Sequence, residues 1–267
     1  MPTPAAEILA KAILPTGLSS AELRDTVAPE IRRRSFFSAR TAEAEYLVKA
    51  RQVCADVAAG KIGQSEARFQ LEGFLDSVGW PAPGNDSGDI TDLGSIARLD
   101  LIVDTQRDMA HSVALLDAQT PANLAEFPAW RLTRFGSRRD PRNWAERWAQ
   151  AASAVGWEGV ARNGEMVALK SSPIWEALGA GAGDHRDTLG NPYPPFAFNS
   201  GMDWESVSRN ECEALGLSPD GQNSPDGQKK PKRASLDNTP EDIKRAKKQL
   251  GPGYADDLAA WAKGEGF

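Results

Sequence analysis

The sequence predicts an α+β protein that is mainly helical, with a small antiparallel sheet and a disordered C-terminal linker. Three observations carry this expectation. Apolar residues recur at helical spacing through long stretches between Ser38 and Ala118. Two short apolar and aromatic runs, FPAWRLTRFG at 127–136 and Met166–Leu169, have the length and pattern of strands. Residues 218–240 hold too few apolar side chains to build a core.

Taken in order, residues 1–30 are rich in Ala, Pro and Glu and predict an N-terminal arm, a peripheral docking segment with two short helices. The first, in PAAEILAKAIL, is bounded by Pro15; the second, in SSAELRDTV, is capped by Ser19 or Ser20. Residues 31–80 predict a helical hairpin. Its first helix places Tyr46, Val53 and Val57 on one face and ends at Gly60, and GKIGQ is the turn. The second helix supplies Phe69, Leu71, Phe74, Leu75 and Val78. After a punctuated linker at 81–89, a long helix is expected from about Ser95, its cap, to Ala118. Its buried stripe is Ile96, Leu99, Ile102, Val103, Gln106, Ala110, Val113 and Leu116.

The run at 127–136 predicts a strand, with Trp130 and Leu132 set against Arg131 and Thr133. A loop and helix follow in SRRDPRNWAERWAQAA, then a second strand at Met166–Leu169 that can pair with the first, and a helical turn after Pro173. Residues 184–204, DHRDTLGNPYPPFAFNSGMDW, cannot form a regular helix or a central strand, because Pro192, Pro194 and Pro195 remove backbone donors. They predict a rigid aromatic loop pinned by a folded body. WESVSRNECEALGL then predicts a last compact helix, capped by Asp203 with Glu205 in its first turn. In the tail, SPDGQ occurs at 218 and again at 224, and a helix restarts with Thr239 as cap and Pro240 at its first position.

Charge is segregated along this chain of 267 residues and net charge −6. Residues 228–249 carry eight basic side chains (Lys229, Lys230, Lys232, Arg233, Lys244, Arg245, Lys247 and Lys248) against three acidic ones, a local charge of +5. Such a tail can touch nucleic acid, dock on an acidic partner or only solubilise the chain. No apolar run approaches the roughly 20 residues of a membrane span, and MPTPAAEILAKAILPTG lacks the basic start and apolar core of a signal peptide. Two distant cysteines, Cys54 and Cys212, do not make a disulfide framework; Cys54 falls in a helical pattern and predicts core packing.

The catalytic inventory is thin. The sequence lacks HExxH, GxSxG, a phosphate loop, a dinucleotide fingerprint and a Cys/His cluster with metal-ligand spacing. His111 predicts an ordinary helix residue. His185, flanked by Asp184 and Asp187, could bind a divalent ion or form an acid/base pair, or it could be the polar lip of the loop. The loop has three readings. Tyr193, Phe196 and Phe198 can pack internally around Trp130, Trp144 and Trp148. They can instead anchor a partner protein, or they can stack on bases. The structural or interface set is therefore Tyr193, Pro194, Pro195, Phe196, Phe198 and Trp204.

From Leu93 to Leu217 the chain resembles the phage Mu F-like minor head proteins, the phage head morphogenesis family. The helix carries Arg98, Leu99, Leu101, Ile102, Thr105 and Gln106 where that family's pattern has them. The strand and turn match through Trp130, Arg131 and Arg139, and the closing proline segment through Tyr193, Pro194, Pro195 and Asn199. RRRSFFSARTAEAEYL is similar to the helical lead-in of such proteins. Two family features are missing. Arg142–Asn143–Trp144 stands where many relatives have a histidine, and Gly201–Met202–Asp203–Trp204 stands where they have a glycine–cysteine–arginine–cysteine run.

The resemblance implies a head morphogenesis domain over 95–217, beyond which composition and charge predict a flexible basic tail with a terminal helix over 218–267. It implies a structural, non-enzymatic virion protein without cofactor, present in the host cytoplasm during assembly. Its partners would be the portal and major capsid proteins, with oligomerisation through the capsid, no membrane, and double-stranded DNA as a further contact of the tail. Two other functions stay open. A phage-derived hydrolase or toxin domain would need Asp184, His185, Asp187 or Asp203 to converge with Arg139 or Glu211. A nucleic-acid-binding protein would act through the tail.

Overall fold

The computed structural model describes residues 3–79, 90–137, 141–157 and 164–219. The chain is α+β and mainly helical, with a small antiparallel sheet. It divides into two compact units between Ala114 and Leu115. The basic tail residues Lys229, Lys230, Lys232, Arg233, Lys244, Arg245, Lys247 and Lys248, the expected linker and the helix from Thr239 lie outside the described residues.

In the N-terminal unit, α1 (Pro4–Leu9) is capped by Thr3, whose hydroxyl accepts from the Ala6 amide, and Pro4 sits where its missing N–H costs nothing. Ser19 rather than Ser20 caps α2 (Ser20–Thr26), in a reciprocal box with Glu22. Then come α3 (Pro29–Arg34) and two short strands, β1 (Ala12–Ile13) and β2 (Ser35–Phe36), paired in parallel. The hairpin is formed by α4 (Ala44–Ala58) and α5 (Gln64–Ser77), with Gly60 at φ 70° in the turn, a left-handed conformation that glycine adopts at little cost.

The long helix, α6 (Ile96–Asp117), starts in this unit; the Ser95 hydroxyl accepts from the Arg98 amide at 3.2 Å, as the capping expectation requires. Of the expected stripe, Leu99, Ile102, Val103, Gln106, Ala110 and Leu116 are buried, whereas Ile96, in the first turn, is exposed. On α5, Leu71 and Leu75 are buried while Phe69 is exposed, as is Val78 just after the helix.

Residues 3–29 are not peripheral, contrary to the expected arm over 1–30. Ile8 is fully buried in one core with Phe36, Tyr46, Leu47, Leu71, Leu99 and Val103, and α1 packs on α4. Leu23, Val27 and Ile31 form a second small cluster. The reason is a tertiary pairing: Ala12 and Ile13 add to Ser35 and Phe36, and Thr16 bridges to Thr41, which draws the segment onto the helices. A buried polar tie completes it. Lys11 Nζ donates to Gln106 Oε1 at 2.6 Å, and Arg51 donates to the Lys11 carbonyl at 2.7 Å. Arg98, in the first turn of α6, donates to Ser38 Oγ and the Ala39 carbonyl, both at 2.7 Å.

The C-terminal unit contains α7 (Pro121–Glu126), β3 (Ala129–Arg134), α8 (Trp144–Ala154), β4 (Val167–Leu169), α9 (Ile174–Ala180), β5 (Met202–Val207) and α10 (Arg209–Ala214). Its sheet has the order β4-β3-β5, antiparallel throughout. Strand β5 corrects the expected helix start at Asp203. Residues 202–207 are extended, Asp203 pairs with Thr133 across the sheet, and Ser208 caps the short helix that follows. Met202 and Trp204 alternate with Asp203 and Glu205, a period-two pattern that burial on one sheet face enforces.

The two sheet faces differ. Trp130, Leu132, Ala168 and Trp204 lie on the aromatic face. Ala129, Val167 and Val207 lie on the other and pack with Cys212 and Leu215 of the α10 region. Gly201 O accepts from the Phe135 amide, so residues 202 and 204 turn their amides away from β3. Those amides donate to Ser200 Oγ at 3.2 Å and Asp203 Oδ1 at 2.7 Å. This local capping blunts the edge strand against pairing with another chain.

Candidate functional site

The closing segment 184–201 is the feature around which the C-terminal unit is organised. Between Asp187 and Phe198 it folds back on itself. The Phe198 amide donates to the Asp187 carbonyl, Leu189 donates to Phe196, and Thr188 bridges to Ala197. The base of this loop is polar and its tip is apolar. Leu189, Tyr193, Pro194, Pro195, Phe196 and Ala197 are buried, and Phe198 is half-buried.

The tip enters an aromatic core. Phe196 is 6.1 Å from Trp175, 6.2 Å from Trp204 and 6.5 Å from Trp144, centroid to centroid. Trp175 also meets Trp148 and Trp204 edge to face, at 5.4 Å and 5.5 Å. Such tilted and edge-to-face contacts suit the ring quadrupoles. Trp175 is therefore one of the cluster's centres, with Phe196 and Trp204, and the sequence pattern did not single it out. The signal was present in Ile174, Trp175 and Leu178, which put an apolar face on a short helix. Asn191 and α9 are in direct backbone contact, since a Cβ on Gly179 would sit 1.8 Å from the Asn191 carbonyl oxygen.

The polar base is held from α8 and the residues before it. Arg147 donates to both Asp187 oxygens, at 2.8 Å and 3.1 Å, and Arg142 also pairs with Asp187. Arg142 reaches further, to the Phe198 carbonyl at 2.8 Å and the Asn199 carbonyl at 3.2 Å. Burial works to raise the Asp187 pKa, but the hydrogen bonds and charges of Arg147 and Arg142 prevail and hold it below its ordinary value. His185 Nε2 lies 2.6 Å from Gln150 Oε1, and Asp184 is exposed with φ 62°.

The Asp184–His185–Asp187 run is thus distributed over different partners. Asp187 is engaged by two guanidinium groups and His185 by an amide, while Glu211 pairs with Arg131 on β3. Arg139 lies outside the described residues. Among the described residues no group of three or more His, Cys, Asp or Glu side chains is placed to hold a metal ion. His111 is exposed on α6, and Cys54 and Cys212 are free and buried.

Two further polar arrangements frame the sheet. Arg131 bonds Glu165 at 2.8 Å, faces Glu205 across the strands at 3.5 Å and pairs with Glu211; Glu165 foremost, then Glu211, push its pKa up. On the aromatic face Lys170 Nζ sits 3.9 Å above the Trp130 ring and donates to Gln119 Oε1 at 2.7 Å. Burial lowers this lysine to about 8. A pocket of about 380 Å³ runs along β4, lined by Trp157, Leu169, Pro173 and Leu217 among others. No helix among the described residues is long and apolar enough to cross a membrane.

Comparison with protein-family models, with curated proteins and with solved structures returned no match.

Proposed function

We propose that the chain is a structural head-assembly protein of a phage or prophage, a minor capsid component that docks on the portal or the capsid interior. The observation that carries this reading is the closing segment. Tyr193, Pro194, Pro195 and Phe196 are buried in packing, Asp187 is held in ion pairs by Arg142 and by Arg147 of α8, and His185 meets Gln150. That arrangement suits a rigid assembly module better than a reaction centre. The order of family-like parts supports it too: a long helix with Arg98, a strand with Trp130 and a closing proline segment that precedes a strand against Trp130. In this reading the protein has no enzymatic role, and the eight basic tail residues contact packaged DNA or an acidic assembly partner.

The test is co-expression with the portal and major capsid proteins that this reading expects to be encoded beside it, followed by gradient sedimentation. Co-migration with portal rings or procapsids is the expected outcome. If the chain stays at the top of the gradient, and heads of normal yield and DNA content form without it, the reading is wrong. The tail's role is tested separately in the full-length chain with the eight basic residues replaced by Ser. Loss of DNA binding, together with a steep salt dependence in the wild type, is expected.

A further inference from the structure

We draw no further inference here: the strongest candidate, the half-open apolar pocket of about 380 Å³ along β4, lined by Trp157, Leu169, Pro173 and Leu217, is a surface for which nothing in the structure shows what covers it.

Discussion

Trp130 and Trp204 stack face to face, their ring centroids 5.0 Å apart and their planes within 3° of parallel. The antiparallel register produces this contact. Trp204 pairs with Leu132, so it lies diagonal to Trp130 on the same sheet face, where long aromatic side chains reach each other. The stack joins the strand after the closing segment to the central strand of the sheet. Trp175 and Phe196 then meet Trp204 in T-shaped contacts.

Truncating Trp204 should therefore undo more than one contact. Trp204→Ala is expected to cost about 3–5 kcal/mol of the C-terminal unit's stability, and Trp204→Phe, which keeps an aromatic face, clearly less. Urea unfolding followed by near-ultraviolet circular dichroism checks this, because six of the eight tryptophans belong to that unit. A loss below about 1 kcal/mol for the alanine variant would show that the stack is not a structural anchor.

Gly179 and Gly73 make a paired test of backbone approach. At Gly179 a methyl group would collide with the Asn191 backbone, whereas at Gly73, inside α5, it would meet nothing within 4 Å. Gly179→Ala should destabilise by about 3 kcal/mol or more through forced displacement of the closing segment. Gly73→Ala should stabilise by roughly 0.5–1 kcal/mol, because alanine loses less backbone entropy in a helix. Thermal unfolding of both variants reads the opposite signs directly.

Much of this architecture is legible in local sequence, and the parts that are not have a common cause. Ser19 with Glu22, Ser95 before α6 and Gly60 in the hairpin act through neighbours a few residues away, so their roles can be read from the chain. The prolines likewise announce an irregular segment. Misreadings arise where long-range partners decide. WESVSRNECEALGL has helical spacing, yet pairing of residues 202–207 with β3 makes its first part a strand. Residues 1–30 look peripheral until Ala12 and Ile13 find Ser35 and Phe36. At the candidate site, burial of Tyr193 and Phe196 matches the internal-packing reading, but the division of Asp187 and His185 between α8 partners depends on three-dimensional placement alone.

Lys170 makes an alkaline transition measurable. Burial lowers its pKa to about 8, so the folded unit sheds this proton before the unfolded chain does, near its ordinary value of about 10.4. Between those values the unfolded state binds more protons, and stability rises with pH. Across pH 8 to 10 the gain should be on the order of 1–3 kcal/mol, and Lys170→Met should flatten it. Deprotonation also removes the cation over Trp130, so tryptophan emission should titrate with a midpoint near 8 in the wild type and not in the variant. Lys11, in the other unit, is lowered similarly, so the Lys170→Met comparison is what assigns the emission change to Lys170.

Asp187 sets the opposite, acidic limit. Its carboxyl is held below its ordinary value by Arg147 and Arg142 against the effect of burial, so the stabilisation it contributes is complete above the unfolded value of about 4. As pH falls through the depressed folded value, protonation removes the charge from the clamp and that stabilisation is lost. Asp187→Asn should cost about 1–3 kcal/mol at pH 7, because it leaves the largely buried Arg147 facing a neutral amide. The gap between wild type and variant should shrink steadily below about pH 4. Parallel urea titrations at pH 7, 4 and 3 decide the matter: a gap that stays constant with pH would place the effect of the substitution in packing and not in the charge of the clamp.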